Sequence, residues 1–208
     1  MVPVRSWRLC IRLALLLFVS TLSPAQAAGG SVGGLSFSDE LGGFRIVSVS
    51  GSGTMDDPFV VVEEVTAPEQ VVLVIRGVPD PQAGRRANNR IGSEHPIGYA
   101  LRKVVINRTD SVWTGYDLEL QLPLGQASTQ HDGLSFGEGS AHQRFAHADL
   151  FQIATVTSRP LDGIVFSIGD VPPGRHITLD FVITDIEERP AIYLSQRRPW
   201  LVSEHVAP

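Results

Sequence analysis

The stretch from Tyr116 to Leu124 constrains the fold of this chain more than any other. Tyr116, Leu118, Leu120, Leu122 and Leu124 are apolar, and Asp117, Glu119, Gln121 and Pro123 stand between them. Period two is the signature of a strand with one face on a core and the other in water. Pro123 has no N–H to donate and belongs at the strand's end or on a sheet edge. A second alternation sets Ile177, Leu179, Phe181 and Ile183 against His176, Thr178, Asp180 and Thr184, and Pro172-Pro173-Gly174 turns the chain into it.

Shorter β-type runs fill the rest: Phe44 to Ser50, Phe59 to Val65, Val71 to Ile75, Ile97 to Ile106, Leu150 to Val156, Ile164 to Ile168 and Ala191 to Leu194. No window shows helical periodicity. About eight or nine short strands punctuated by turns, with no helices to cover a parallel sheet, predict an all-β fold: a single antiparallel β-sandwich, with a β-barrel as the alternative. Residues 44–208 form that domain. Residues 28–43, rich in glycine and serine, read as a flexible lead-in or a weak first strand, and Pro79 to Pro96 as a long loop. Gly34-Leu35-Ser36-Phe37 recurs as Gly133-Leu134-Ser135-Phe136, but the flanking residues do not match over a full unit, so duplication is not inferred.

Residues 1–27 have the order of a secretory signal peptide: Arg5, Arg8 and Arg12, then the apolar run Leu13 to Val19, then Ala25-Gln26-Ala27 as a small-x-small cleavage site. The run is too short for a membrane span, which needs roughly 20 apolar residues, so no transmembrane anchor is expected after cleavage. The expected product begins at Ala28 and is exported, to the periplasm or beyond. Cys10, the single cysteine, is lost with the signal, which excludes disulfides, thiolate metal sites and cysteine nucleophiles from the mature chain. The 17 basic residues stand against 22 acidic ones, and removing the three signal arginines leaves 14 against 22. Nucleic acid, bound largely through clustered cationic contacts to phosphate, is excluded as a partner.

Few residues suggest chemistry. His131, Asp132, Glu138, His142, His147 and Asp149 are the densest collection of metal-ligand types, with His131, His142, His147 and Asp149 the candidates for a zinc-like site. Their spacing fits neither a helix face nor one strand face, apart from His147 and Asp149, and a polar loop between strands is the simpler reading. Asp56-Asp57-Pro58 could contribute oxygens to calcium, although aspartate and glycine are also what a turn requires. Glu63-Glu64 and Glu187-Glu188 are adjacent, so in strands each pair points to opposite faces, as solvated positions or caps. No Gly-x-Ser-x-Gly elbow or phosphate-binding Gly-Lys loop is present.

The run Val104 to Leu120, containing Asn107-Arg108-Thr109, Trp113 and Tyr116, resembles the paired strands of exported bacterial β-sandwich proteins, in which the aromatics enter the core. With Gly51-Ser52-Gly53-Thr54, Asp56-Asp57-Pro58-Phe59 and Val171-Pro172-Pro173-Gly174, the chain is similar to exported proteins of alphaproteobacterial type. The resemblance implies a sandwich and attaches no activity. Two functions remain open: a non-enzymatic binding or structural module for a protein, a glycan or the cell envelope, with no cofactor, and a metal-dependent hydrolase using the His131–Asp149 loop.

Overall fold

A computed structural model of the chain describes residues 29–80, 88–129, 131–142, 144–157 and 160–197. The proposed signal peptide lies outside them. Thirteen strands follow one another: β1 (Gly29–Val32), β2 (Leu35–Ser38), β3 (Phe44–Ser50), β4 (Phe59–Val65), β5 (Val71–Gly77), β6 (Asn88–Asn89), β7 (Ile97–Asn107), β8 (Trp113–Gln121), β9 (Ala146–Ala148), β10 (Ile153–Thr157), β11 (Gly163–Val171), β12 (His176–Asp185) and β13 (Ile192–Arg197). They form two packed sheets, β1-β2-β5-β13-β8-β11-β10 and β3-β4-β7-β12-β9, with β6 also on β7. The fold is a β-sandwich and not a closed barrel.

All pairings are antiparallel except β4 and β6 on β7. The parallel β4–β7 pair arises because the chain leaves β4 to build β5 in the opposite sheet before it returns. That crossing supplies the long connection a parallel pair needs.

Inward positions follow the two-residue period. Phe59, Val61 and Val65 of β4, Leu118 and Leu120 of β8, and Ile177, Leu179, Phe181 and Ile183 of β12 are all buried. Phe59 joins the sheets: its ring centroid lies 6.2 Å from that of Phe37 on β2 and 5.9 Å from that of Tyr99 on β7.

Three expectations need correction. The lead-in reading of residues 28–43 gives way to its strand alternative over Gly29–Ser38, where β1 and β2 pair as a hairpin and Leu35 and Phe37 are core residues. The alternation at Tyr116 is not strand throughout: β8 ends at Gln121, and the chain turns at Pro123, leaving Leu122 half-buried and Leu124 46% exposed. The other face of β8 is not fully wet either. Its central place between β13 and β11 buries Glu119, whose Oε1 accepts a hydrogen bond from Gln121 Nε2 at 2.9 Å.

The repeated Gly-Leu-Ser-Phe segments use one local solution twice. Gly34 and Gly133 both hold positive φ, 86° and 83°, and Leu35, Phe37, Leu134 and Phe136 all enter the core. Ser135 sits between the second pair and bridges to Thr184, with Oγ to Oγ1 at 3.1 Å. The long segment after β8 is therefore anchored to the core in its middle.

Trp113 and Tyr116 are buried, as the strand pattern expects. Asn107 is also fully buried; its Nδ2 donates to the carbonyls of Ser111 and Val171, and its Oδ1 accepts from Thr109 N and Oγ1. Asn107 organises the turn before β8.

Candidate functional site

The metal-ligand candidates stand apart. His131 is exposed; the His142 amide donates to Ser140 Oγ; exposed His147 on β9 has its Nδ1 3.9 Å from Asp180 Oδ2; and Asp149 Oδ1 accepts from Thr178 N at 2.9 Å. Asp132 caps its own turn, accepting from Thr129 N and Leu134 N. Among the described residues no three His, Cys, Asp or Glu side chains gather where they could hold one ion. The Asp56-Asp57 segment closes as a turn, with Ser52 N and Thr54 N donating to Asp57 O and Asp57 N donating to Thr54 Oγ1.

A chain of buried polar groups crosses one end of the sandwich. Ser128 Oγ lies 2.9 Å from Asp132 Oδ1 and 3.4 Å from Asp162 Oδ2. Arg189 Nη2 donates to the Asp132 carbonyl, and Arg189 also binds Asp185 at 3.0 Å and Glu187 at 2.7 Å. Beside Asp185, the hydroxyl of Tyr99 is buried without a partner. Burial first, and the Asp185 charge second, push the Tyr99 phenol up. The space bounded by Tyr99, Asp185 and Arg189 is about 20 Å³, room for one water.

Asp162 has an unusual carboxyl. It is wholly buried, its Oδ1 has no hydrogen-bond partner, and burial, followed by the charges of Asp132 and Glu138, raises its pKa from 3.8 to about 7. The unfolded chain releases this proton near the ordinary value and the folded chain holds it to about 7. Stability therefore falls as pH rises through that window. Asp162→Asn is expected to flatten this loss, so that denaturation midpoints at pH 5 and pH 8 lie closer together than in the parent; an unchanged pH dependence would reject the assignment.

Asp162 also lines a cleft of about 280 Å³ on the outer face of the seven-stranded sheet. Its floor exists because Gly163 offers no side chain between Glu119 on one side and Thr157 on the other, and Asp117 and Val165 form the next row. Pro160 and Leu161 wall it. The carboxylates of Asp117 and Glu119 give the cleft an acidic lining, with the buried Asp162 carboxyl at its margin.

Alongside the cleft runs β10, the outermost of the described strands in this sheet. Ile153-Ala154-Thr155-Val156-Thr157 contains no charge and no proline, pairs with β11 in unbroken register, and is exposed at four of its five positions. Natural sheet edges are usually blunted by charge, proline, bulges or brevity. The other three edges here are blunted: β1 has four residues, β9 has three, and β3 carries Arg45 and a register shift between Ile46 and Ser48. Leu150, Ile153 and Ile168 add exposed apolar surface at one end of β10, where Gln152 N donates to Ile168 O. Sequence reading finds the Ile153 run as a strand; only the strand order shows that it is an edge.

No protein-family model matches this chain, and neither curated proteins nor solved structures give a match.

Proposed function

We propose that the protein is an exported, non-enzymatic binding module that takes an extended polypeptide segment along β10. The observation that carries this reading is the unblunted edge, on whose outer side no described strand pairs and which can continue the sheet into a partner strand. The cleft beside it supplies selectivity. Its acidic lining favours a strand carrying an arginine or lysine, in keeping with the chain's formal charge of −5. The hydrolase reading has no convergent ligand set among the described residues to support it.

Amide chemical shifts followed while extended peptides are added test the proposal, using peptides that differ only in a central Arg, Ala or Glu. Shifts are expected at 153–157 and 162–165, largest for the arginine peptide. Thr155 lies on the cleft side of β10, in one row with Val165 and Asp117, so Thr155→Lys should weaken the response at least tenfold in apparent Kd, equivalent to about 1.4 kcal/mol. Shifts centred on another surface, or indifference to Thr155→Lys, would reject the edge as the recognition site.

A further inference from the structure

Lys103 is the only lysine in the sequence; every other basic residue is arginine. It is also a cation with no solvent exposure. Its Nζ lies 2.6 Å from Glu63 Oε2, and both side chains are 0% exposed. Parity places them there: Glu63 shares the inward face of β4 with Phe59, Val61 and Val65, and Lys103 shares that of β7 with Leu101 and Val105. In the parallel register Lys103 sits opposite Val61, and Glu63 opposite Val105, so the two side chains meet diagonally between neighbouring strands.

The choice of lysine is informative. Arginines hold the carboxylates of Glu40, Glu64 and Asp180 at the surface and that of Asp185 in the end network. A guanidinium cannot shed its proton in a protein, whereas an amine can, and the free amine is a nucleophile. Burial pushes Lys103 down against the opposing pull of Glu63. A third polar group faces the pair from the other sheet. The Tyr116 hydroxyl is buried, has no hydrogen-bond partner, and lies close enough to feel the Glu63 charge; Glu63 Oε1 is likewise unpartnered.

We propose that Lys103 and Glu63 condense into an isopeptide bond that ties β4 to β7. The pair first becomes neutral, the ammonium proton moving across the 2.6 Å contact to the carboxylate. The Nζ lone pair then attacks Glu63 Cδ and a C–N bond forms. The C–O bond to the protonated oxygen breaks, the nitrogen's surplus proton passes to that oxygen, and one water leaves. In bulk water, ionisation of both partners holds an acid and an amine apart; in the core the ions are costly and the neutral amide is not. The link closes a loop whose ends are 40 residues apart in sequence.

Mass spectrometry of the full chain, purified folded and then denatured and digested with trypsin, decides the matter. The expected result is a joined pair of peptides, one containing Glu63 and one containing Lys103, lighter by one water than their sum, with no cleavage after Lys103. Lys103→Arg should give the unjoined peptides at full mass. Recovery of the parent's Glu63 and Lys103 in separate, unmodified peptides would overturn the proposal, and this readout needs no variant to fold. It is independent of the role proposed for β10.

Discussion

Lys103→Met is expected to cost about 3–5 kcal/mol of stability, the largest loss of any single substitution considered for this protein. Methionine fills much of the lysine's volume, so little of the loss comes from packing. It comes from Glu63, left as an uncompensated carboxylate in a core where its neighbours are Val61, Val65 and the hydroxyl of Tyr116, which donates to nothing. Glu63→Leu should be comparably harmful for the opposite charge. The double variant Lys103→Met/Glu63→Leu should be more stable than either single one, since removing both partners removes the stranded charge. Urea denaturation of the three variants checks this. A double variant whose loss equals the sum of the single losses would mean that the pair is not coupled.

Leu120→Ala should cost about 2–5 kcal/mol, and Leu124→Ala no more than about 0.5. The two leucines have the same parity in one alternating run, but Leu120 is 0% exposed in the middle of the seven-stranded sheet and Leu124 is 46% exposed beyond the turn. Thermal shifts of equal size would refute this placement. Glu119→Ala is not a neutral control here, because Glu119 is buried against Gln121.

These cases show what a local pattern conveys. Parity along β8 and β12 is fixed by the backbone pleat, so which residues share a face could be read from the chain alone. How wet the opposite face is depends on what flanks the strand, which is a matter of topology. Glu119 is buried rather than wet for that reason, and Leu124 lies outside the strand because a period does not announce where a strand stops.

Glu63 is the more instructive miss. Its separation from Glu64 onto opposite faces follows from adjacency, and Glu64 does face outward to Arg45 and Arg108. The signal that Glu63 faces inward was present in its parity with Phe59, Val61 and Val65, and Lys103 carries the same signal beside Leu101 and Val105. A charge at an inward position calls for a partner, and the strand pairing supplies it. The bare edge at β10 had no sequence counterpart, because nothing within Ile153–Thr157 says whether another strand lies alongside.

The strand order also governs when the molecule can assemble. β13, the last of the described strands, lies in the middle of the larger sheet, pairing with β5 on one side and β8 on the other. Until Ile192–Arg197 has been made, that sheet exists only as two separate pieces, β1-β2-β5 and β8-β11-β10, with their inner edges open. A growing chain therefore cannot complete its core from the N-terminus forward. Closure of the larger sheet waits for β13.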